Sequence, residues 1–325
     1  MNIGMPRALL HYYYYPFWKR LFEELGCRVV LSDITNTILI TDGIKVTVSE
    51  LCVPIKIFNG HILNLMQKDV DLIFVPRFIS MGSEEWYCPK FIGLPDLVRF
   101  SIDGLEQKLL ILDITSKGDI LNRFSDYKPL INRLGVSKSQ TKSALRLAKE
   151  EFDRFRRLCI SGYTIDEAIC ILEGKEVELP KVNADVTIAL MGYVYNIYDN
   201  FVSMNILGKL RDMGVRVITF DMLDEEELLG KKSKEKGVYW VFSRKILEAT
   251  KMLLKNPKVD GVIHMTAFSC GPDSVLGKLM ELDSEELDKS FMTIRIDEHT
   301  GESHVQTRIE AFVDMLRMSK EKIKI

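Results

Sequence analysis

The chain has 325 residues, a length at which one hydrophobic core usually gives way to two domains. Hydrophobic residues make up 46% and charged residues 28%, which excludes a mostly disordered chain. With 44 Lys and Arg against 46 Asp and Glu, the formal charge is -2, so the basic excess of a nucleic-acid binder is missing. No apolar run has membrane-spanning length. The first residues, Met-Asn-Ile-Gly-Met-Pro-Arg, lack a basic leader followed by an apolar block. No export signal is therefore expected, and the expected compartment is the cytoplasm.

Short apolar runs alternate with helix-period segments, the pattern of an α/β protein with parallel sheets. Residues 2–5 read as a strand, 13–25 as a helix and 27–31 as a strand. Residues 45–48 read as a short extended piece. A helix is expected over 53–66, with Pro54 in the first turn, where proline is tolerated. Residues 71–76 and 109–113 are buried strands. Together these predict an N-terminal α/β domain over 1–116.

Residues 117–183 change character and predict a helical connector. Ala148, Phe152, Phe155 and Cys159 recur at helical spacing between charged residues. Thr164-Ile-Asp-Glu167 fits a capping box, and 177–183 reads as a linker. The α/β rhythm restarts in a C-terminal domain over 184–325. Its strands are 186–190, 215–220, 259–265 and 291–296. Its helices are 201–213, 242–254, 275–282 and 307–318. No sequence repeat relates the halves, although they can share a fold. The basic stretch 231–236 reads as a solvated loop, because glutamates interrupt it.

Three of the six cysteines share a context. Cys52 precedes Val-Pro54, Cys88 precedes Pro89, and Cys270 precedes Gly-Pro272. Each follows a predicted strand, and ligands of open α/β sheets collect beyond the carboxyl ends of strands. The prolines favour a helix start just after each sulfur, and a helix N-terminus stabilises a thiolate. Iron–sulfur clusters take thiolate ligands, often beside proline. The gaps between these cysteines are long, so ordinary buried or loop thiols remain the alternative reading. Cys27, Cys159 and Cys170 sit in apolar strand or helix runs and read as core. A four-iron cubane on three cysteines leaves one iron open to an exogenous ligand.

One set of segments runs in order along the first half: Asn2-Ile-Gly-Met-Pro-Arg7, Tyr15-Pro-Phe-Trp18, Glu24-Leu-Gly-Cys-Arg-Val-Val30, Ser49-Glu-Leu-Cys-Val-Pro-Ile-Lys56 with Gly60-His61, and Tyr87-Cys-Pro89. The second half adds Tyr195-Asn-Ile-Tyr-Asp199, Phe268-Ser-Cys-Gly-Pro-Asp273, and Ile296-Asp-Glu-His-Thr-Gly301 with Thr307-Arg308 and Glu310-Ala-Phe312. In these segments the chain resembles the 2-hydroxyacyl-CoA dehydratase component family, most closely its activase-associated branch. The resemblance implies a 4Fe–4S cluster on Cys52, Cys88 and Cys270, with oxygen-sensitive, low-potential one-electron chemistry. It implies an ATP-hydrolysing activase as electron donor and a small-molecule or acyl-CoA substrate.

Related proteins carry a double-cubane cluster and reduce small molecules, which would need further ligands from Cys27, Cys159, Cys170 or a second chain. The chain departs from true dehydratases, which use two different subunits. It also has neither a GxxxxGK[ST] loop nor an actin-like nucleotide signature. A non-catalytic electron carrier and a metal-free paralogue are the other readings. A homodimer is the expected assembly.

Four further residues are singled out. Glu298 and His299 follow a predicted strand and can orient or protonate a ligand, or simply close a turn. His61, about two helical turns past Cys52, can donate toward a cluster or pack the helix. Tyr195, with Tyr193 and Tyr198, can wall a site from water. The aromatic run Tyr12–Tyr15 with Phe17 and Trp18 can line a site or dimer contact, or pack in the core.

Overall fold

The computed structural model describes the chain except residues 82–84, 116–120, 122, 180–183, 230–237, 299 and 324–325. The basic stretch 231–236, the end of the linker and His299 thus lie outside the described residues. Two compact units emerge: Met1–Arg157 with Tyr239–Val241, and Leu158–Val238 with Phe242–Ile325. The division falls inside a long helix of the segment expected to be helical.

The first unit begins with β1 (Asn2–Met5), α1 (His11–Glu24), β2 (Arg28–Leu31), α2 (Thr37–Lys45), α3 (Val53–Met66) and β3 (Leu72–Phe74). Pro76 interrupts the ladder, and the chain resumes as β4 (Arg77–Phe78). Then come α4 (Pro89–Ile92), α5 (Leu94–Ser101), β5 (Leu109–Leu110), β6 (Asp113–Ile114), α6 (Lys128–Leu134) and α7 (Lys138–Ile160). β2, β1, β3 and β5 form a parallel sheet in that order, with Ile3 opposite both Val29 and Leu72. β4 pairs with β6, also in parallel.

The aromatic run of α1 belongs to this unit's core. Tyr13, Tyr14, Phe17 and Trp18 are buried. Trp18 meets Phe74 edge-on at 4.8 Å, and Tyr14 stacks on Phe152 of α7 at 5.6 Å. Such aromatic burial is a large part of what fixes a helix to a sheet.

The expected extended piece at 45–48 does not form: Lys45 ends α2, a helix the sequence pattern did not reveal, and the residues after it leave the helix as a turn. Asn36 caps α2 by accepting from the Leu39 N–H at 3.1 Å. The helix then seats on α3 through two glycines. A β-carbon on Gly43 would lie 2.7 Å from the Gly60 nitrogen and nearer still to the Lys56 carbonyl oxygen. One on Gly60 would strike the Leu39 carbonyl. Tertiary packing of this kind overrides the weak helix propensity of Thr37-Ile-Leu-Ile-Thr41.

The second unit contains α8 (Ile165–Leu172), β7 (Thr187–Gly192), α9 (Val194–Ile197), α10 (Ile206–Asp212), β8 (Arg216–Thr219) and α11 (Glu225–Leu229). It continues with α12 (Val241–Leu254), β9 (Gly261–Ala267), α13 (Gly271–Glu286), β10 (Ser290–Ile296) and α14 (Glu302–Ile323). The expected capping box forms: the Thr164 hydroxyl accepts from the Glu167 N–H, and Glu167 accepts from the Thr164 N–H at 2.7 Å.

The helix expected over 201–213 starts only at Ile206. Asp199 accepts from the N–H groups of Phe201 and Val202, and Met204 and Asn205 take φ of 52° and 53°. An Asx-type turn and two left-handed residues therefore occupy the expected first turn.

The second sheet is also all parallel, in the order β8-β7-β9-β10. In both units the second strand flanks the first, and the third and fourth lie on its other side. This is the Rossmann-like, doubly wound arrangement, whose ligand crevice lies where the strand order reverses, between first and third strands. Two halves without a sequence repeat share one strand order because short right-handed crossovers leave few alternatives.

Candidate functional site

All three singled-out cysteines occupy the N-cap position of a helix. Cys52 (φ -65°, ψ 151°) precedes α3, Cys88 (φ -52°, ψ 139°) precedes α4, and Cys270 (φ -82°, ψ 105°) precedes α13. Each helix carries proline in its first turn, so the expected helix start after each sulfur is met. Cys88 and Cys270 are topological equivalents, each capping the first helix after its unit's third strand. Ser269, just before Cys270, is left-handed with φ 61°, an uncommon conformation for a side chain with a β-carbon.

Within the first unit, Cys52 and Cys88 lie close enough to feel each other's charge. Burial pushes the Cys52 thiol up from its usual range, while the Lys90 ammonium and the Ile55 N–H favour its thiolate. Burial likewise raises the Cys88 thiol, opposed by the N–H groups of Lys90 and Phe91. Two soft sulfurs at two helix starts, beside one cation, match the donors that iron–sulfur clusters take. Among the described residues, no group of three or more His, Cys, Asp or Glu side chains is placed to hold a metal ion.

Cys27 and Cys159 are buried in strand and helix packing, as core thiols would be, and Cys170 is half-buried. His61 is completely buried on α3, with Ser32 Oγ 2.8 Å from Nδ1 and Thr35 Oγ1 3.0 Å from Nε2. Both ring nitrogens therefore serve the packing of α3 against the segment after β2. Burial, with Arg7, lowers its pKa to about 3, so the ring is neutral.

In the second unit, Tyr195 is buried and stacks on Tyr193 at 5.2 Å and 7°. Tyr193 reaches Ser243 Oγ at 2.7 Å, and the Tyr198 hydroxyl donates to Asp221 at 2.8 Å. Glu298 is exposed. The turn reading of its segment is supported beside it: the Thr300 hydroxyl donates to Asp297 at 2.8 Å.

Sequence reasoning missed two features. Lys90 is only two residues past Cys88, so its first-turn position was a usable signal. The second is a buried pair, His264 Nε2 with Asp273 Oδ1 at 3.0 Å, joining β9 to the first turn of α13. His264 had shown no partner spacing, because the partner lies across a strand-to-helix turn. The pair fastens the helix that Cys270 caps.

Comparison with known families closes the assignment. Residues 2–223 match the family described as CoA enzyme activase uncharacterised domain. Residues 240–316, which contain Cys270, match the D-component of 2-hydroxyglutaryl-CoA dehydratase. No curated protein matches the chain. No helix among the described residues is long and apolar enough to cross a membrane. With the first match spanning well over half its length, the chain belongs to the CoA enzyme activase domain family, the activase-associated branch of the 2-hydroxyacyl-CoA dehydratase components.

Proposed function

We propose that Cys52, Cys88 and Cys270 ligate a 4Fe–4S cluster through which this chain accepts low-potential electrons from an ATP-hydrolysing activase. The observation that carries this reading is the Cys52–Cys88 pair, set at two helix N-termini with the Lys90 ammonium favouring the Cys52 thiolate. Cys270 supports it by holding the equivalent position in the second unit. The bound cluster would supply one-electron reduction and an iron free of cysteine.

The protein's own residues do the rest. The helix N-termini and Lys90 offset the negative charge of bound thiolates. The His264–Asp273 pair holds the Cys270 turn in place. The stacked Tyr193 and Tyr195 keep water from their part of the second unit. The substrate class is a small or CoA-linked molecule, and the assembly is a homodimer in the cytoplasm.

Purification without oxygen, with iron and acid-labile sulfide measured per chain, tests the reading. About four irons, lost on Cys52→Ala, Cys88→Ala or Cys270→Ala, is the expected result. About eight irons would replace it with a double cubane. No iron after reconstitution would overturn it. Turnover of substrate by the reduced protein separates an enzyme from an electron carrier.

A further inference from the structure

The first unit has a small, partly open cavity of about 30 Å³ at the carboxyl ends of β1 and β3. Met5 ends β1, Phe74 ends β3, and both line it. These are the neighbouring strands at which the sheet order reverses, where open α/β sheets collect ligands. The wall is otherwise largely apolar, including Phe58, Phe78 and Phe91.

Two independent features mark this cavity. His11, the first residue of α1, lines it, and its buried Nδ1 has no hydrogen-bond partner. A buried orphan of this kind costs about 1–3 kcal/mol and calls for a ligand or water. Leu9, also on the wall and 3% exposed, has φ 55°. A bulky residue held left-handed stores strain on the order of 1–3 kcal/mol, and such strain concentrates at ligand clamps.

The chemistry of the occupant follows from the surroundings. Burial, Arg7 and His61 hold the His11 pKa near 3, so the ring is neutral and has no charge to pair. Arg7 and the N-terminal end of α1 make the local field positive, which favours an electron-rich oxygen. The volume holds about two waters, or a molecule of about two or three heavy atoms.

We propose that this cavity binds a small neutral alcohol or aldehyde, its oxygen held by Nδ1 of His11. The inference goes beyond the cluster reading and stands whether or not the protein holds iron.

The test uses full-length protein with ¹⁵N-labelled histidine, titrated with ethanol while the ring nitrogens are followed by NMR. His11→Phe assigns the resonance. A saturable shift of the His11 Nδ1 signal is expected, and it should vanish in Ala8→Leu, whose longer side chain fills the cavity. If Ala8→Leu does not fold, xenon under pressure replaces it as the probe: reversal of the ethanol shift in the wild-type protein supports the site. A linear, unsaturating shift, a shift that persists in Ala8→Leu or under xenon, or a resident water that ethanol leaves undisturbed would overturn the proposal.

Discussion

Replacing Gly43 by alanine should destabilise the first unit, although alanine is the better helix former. The gain in helix propensity is about 1 kcal/mol. Against it stands a new β-carbon 2.7 Å from the Gly60 nitrogen and closer to the Lys56 carbonyl oxygen, where real β-carbons keep at least 3.0 Å. The neighbours are backbone atoms of α3, not flexible side chains, so relief requires one helix to move off the other. Overpacking of this kind costs about 1–3 kcal/mol, and rigid backbone places it at the upper end. The net loss is then about 2 kcal/mol, or about 4–8 °C in Tm for a unit of this size. Thermal unfolding followed by circular dichroism reads it directly. Gly301→Ala, where an added β-carbon meets nothing within 4 Å, serves as the control and should leave Tm essentially unchanged. An unchanged or raised Tm for Gly43→Ala would refute the argument that the two glycines seat α2 on α3.

Other perturbations have equally definite signs. His61 is neutral when folded, with a pKa near 3, but takes up a proton near pH 6.5 when unfolded. Its contribution is therefore fully present above pH 6.5 and lost as pH falls toward 3, at up to about 1.4 kcal/mol per pH unit. Urea midpoints between pH 6 and 4 should fall more steeply for the wild type than for His61→Gln; equal slopes would contradict the assignment. Thr164→Ala removes the cap of α8 and should cost about 1 kcal/mol in chemical denaturation. Lys90→Met removes the cation beside Cys52 and should make the reduction potential of a reconstituted cluster more negative. An unmoved potential would show that Lys90 does not act on that centre.

Local chemistry made much of this protein legible. The parallel α/β class was readable because strands buried on both faces are short continuous apolar runs. The helix starts after Cys52, Cys88 and Cys270 were readable because proline tolerates a first turn and little else in a helix. The Thr164–Glu167 cap was readable because donor and acceptor lie three residues apart. The aromatic run of α1 left core and surface both open, and packing against Phe74 and Phe152 decided for the core.

What escaped the sequence depends on distant partners. α2 is a β-branched stretch whose helix is secured by Gly43 and Gly60, seventeen positions apart in the chain. His61 and His264 look alike as lone histidines, yet one is held by two hydroxyls and the other by a carboxylate. The nearness of Cys52 to Cys88, with the Lys90 charge opposing the effect of burial on Cys52, likewise arises only on folding. The sequence by itself determined the class of the fold, the helix starts and the candidate sulfurs, because those follow from dihedral limits and hydrogen bonds a few residues apart. Strand order, partner choice and the cavity at His11 were decided by tertiary structure, because they arise from side chains and backbones meeting across the sheet.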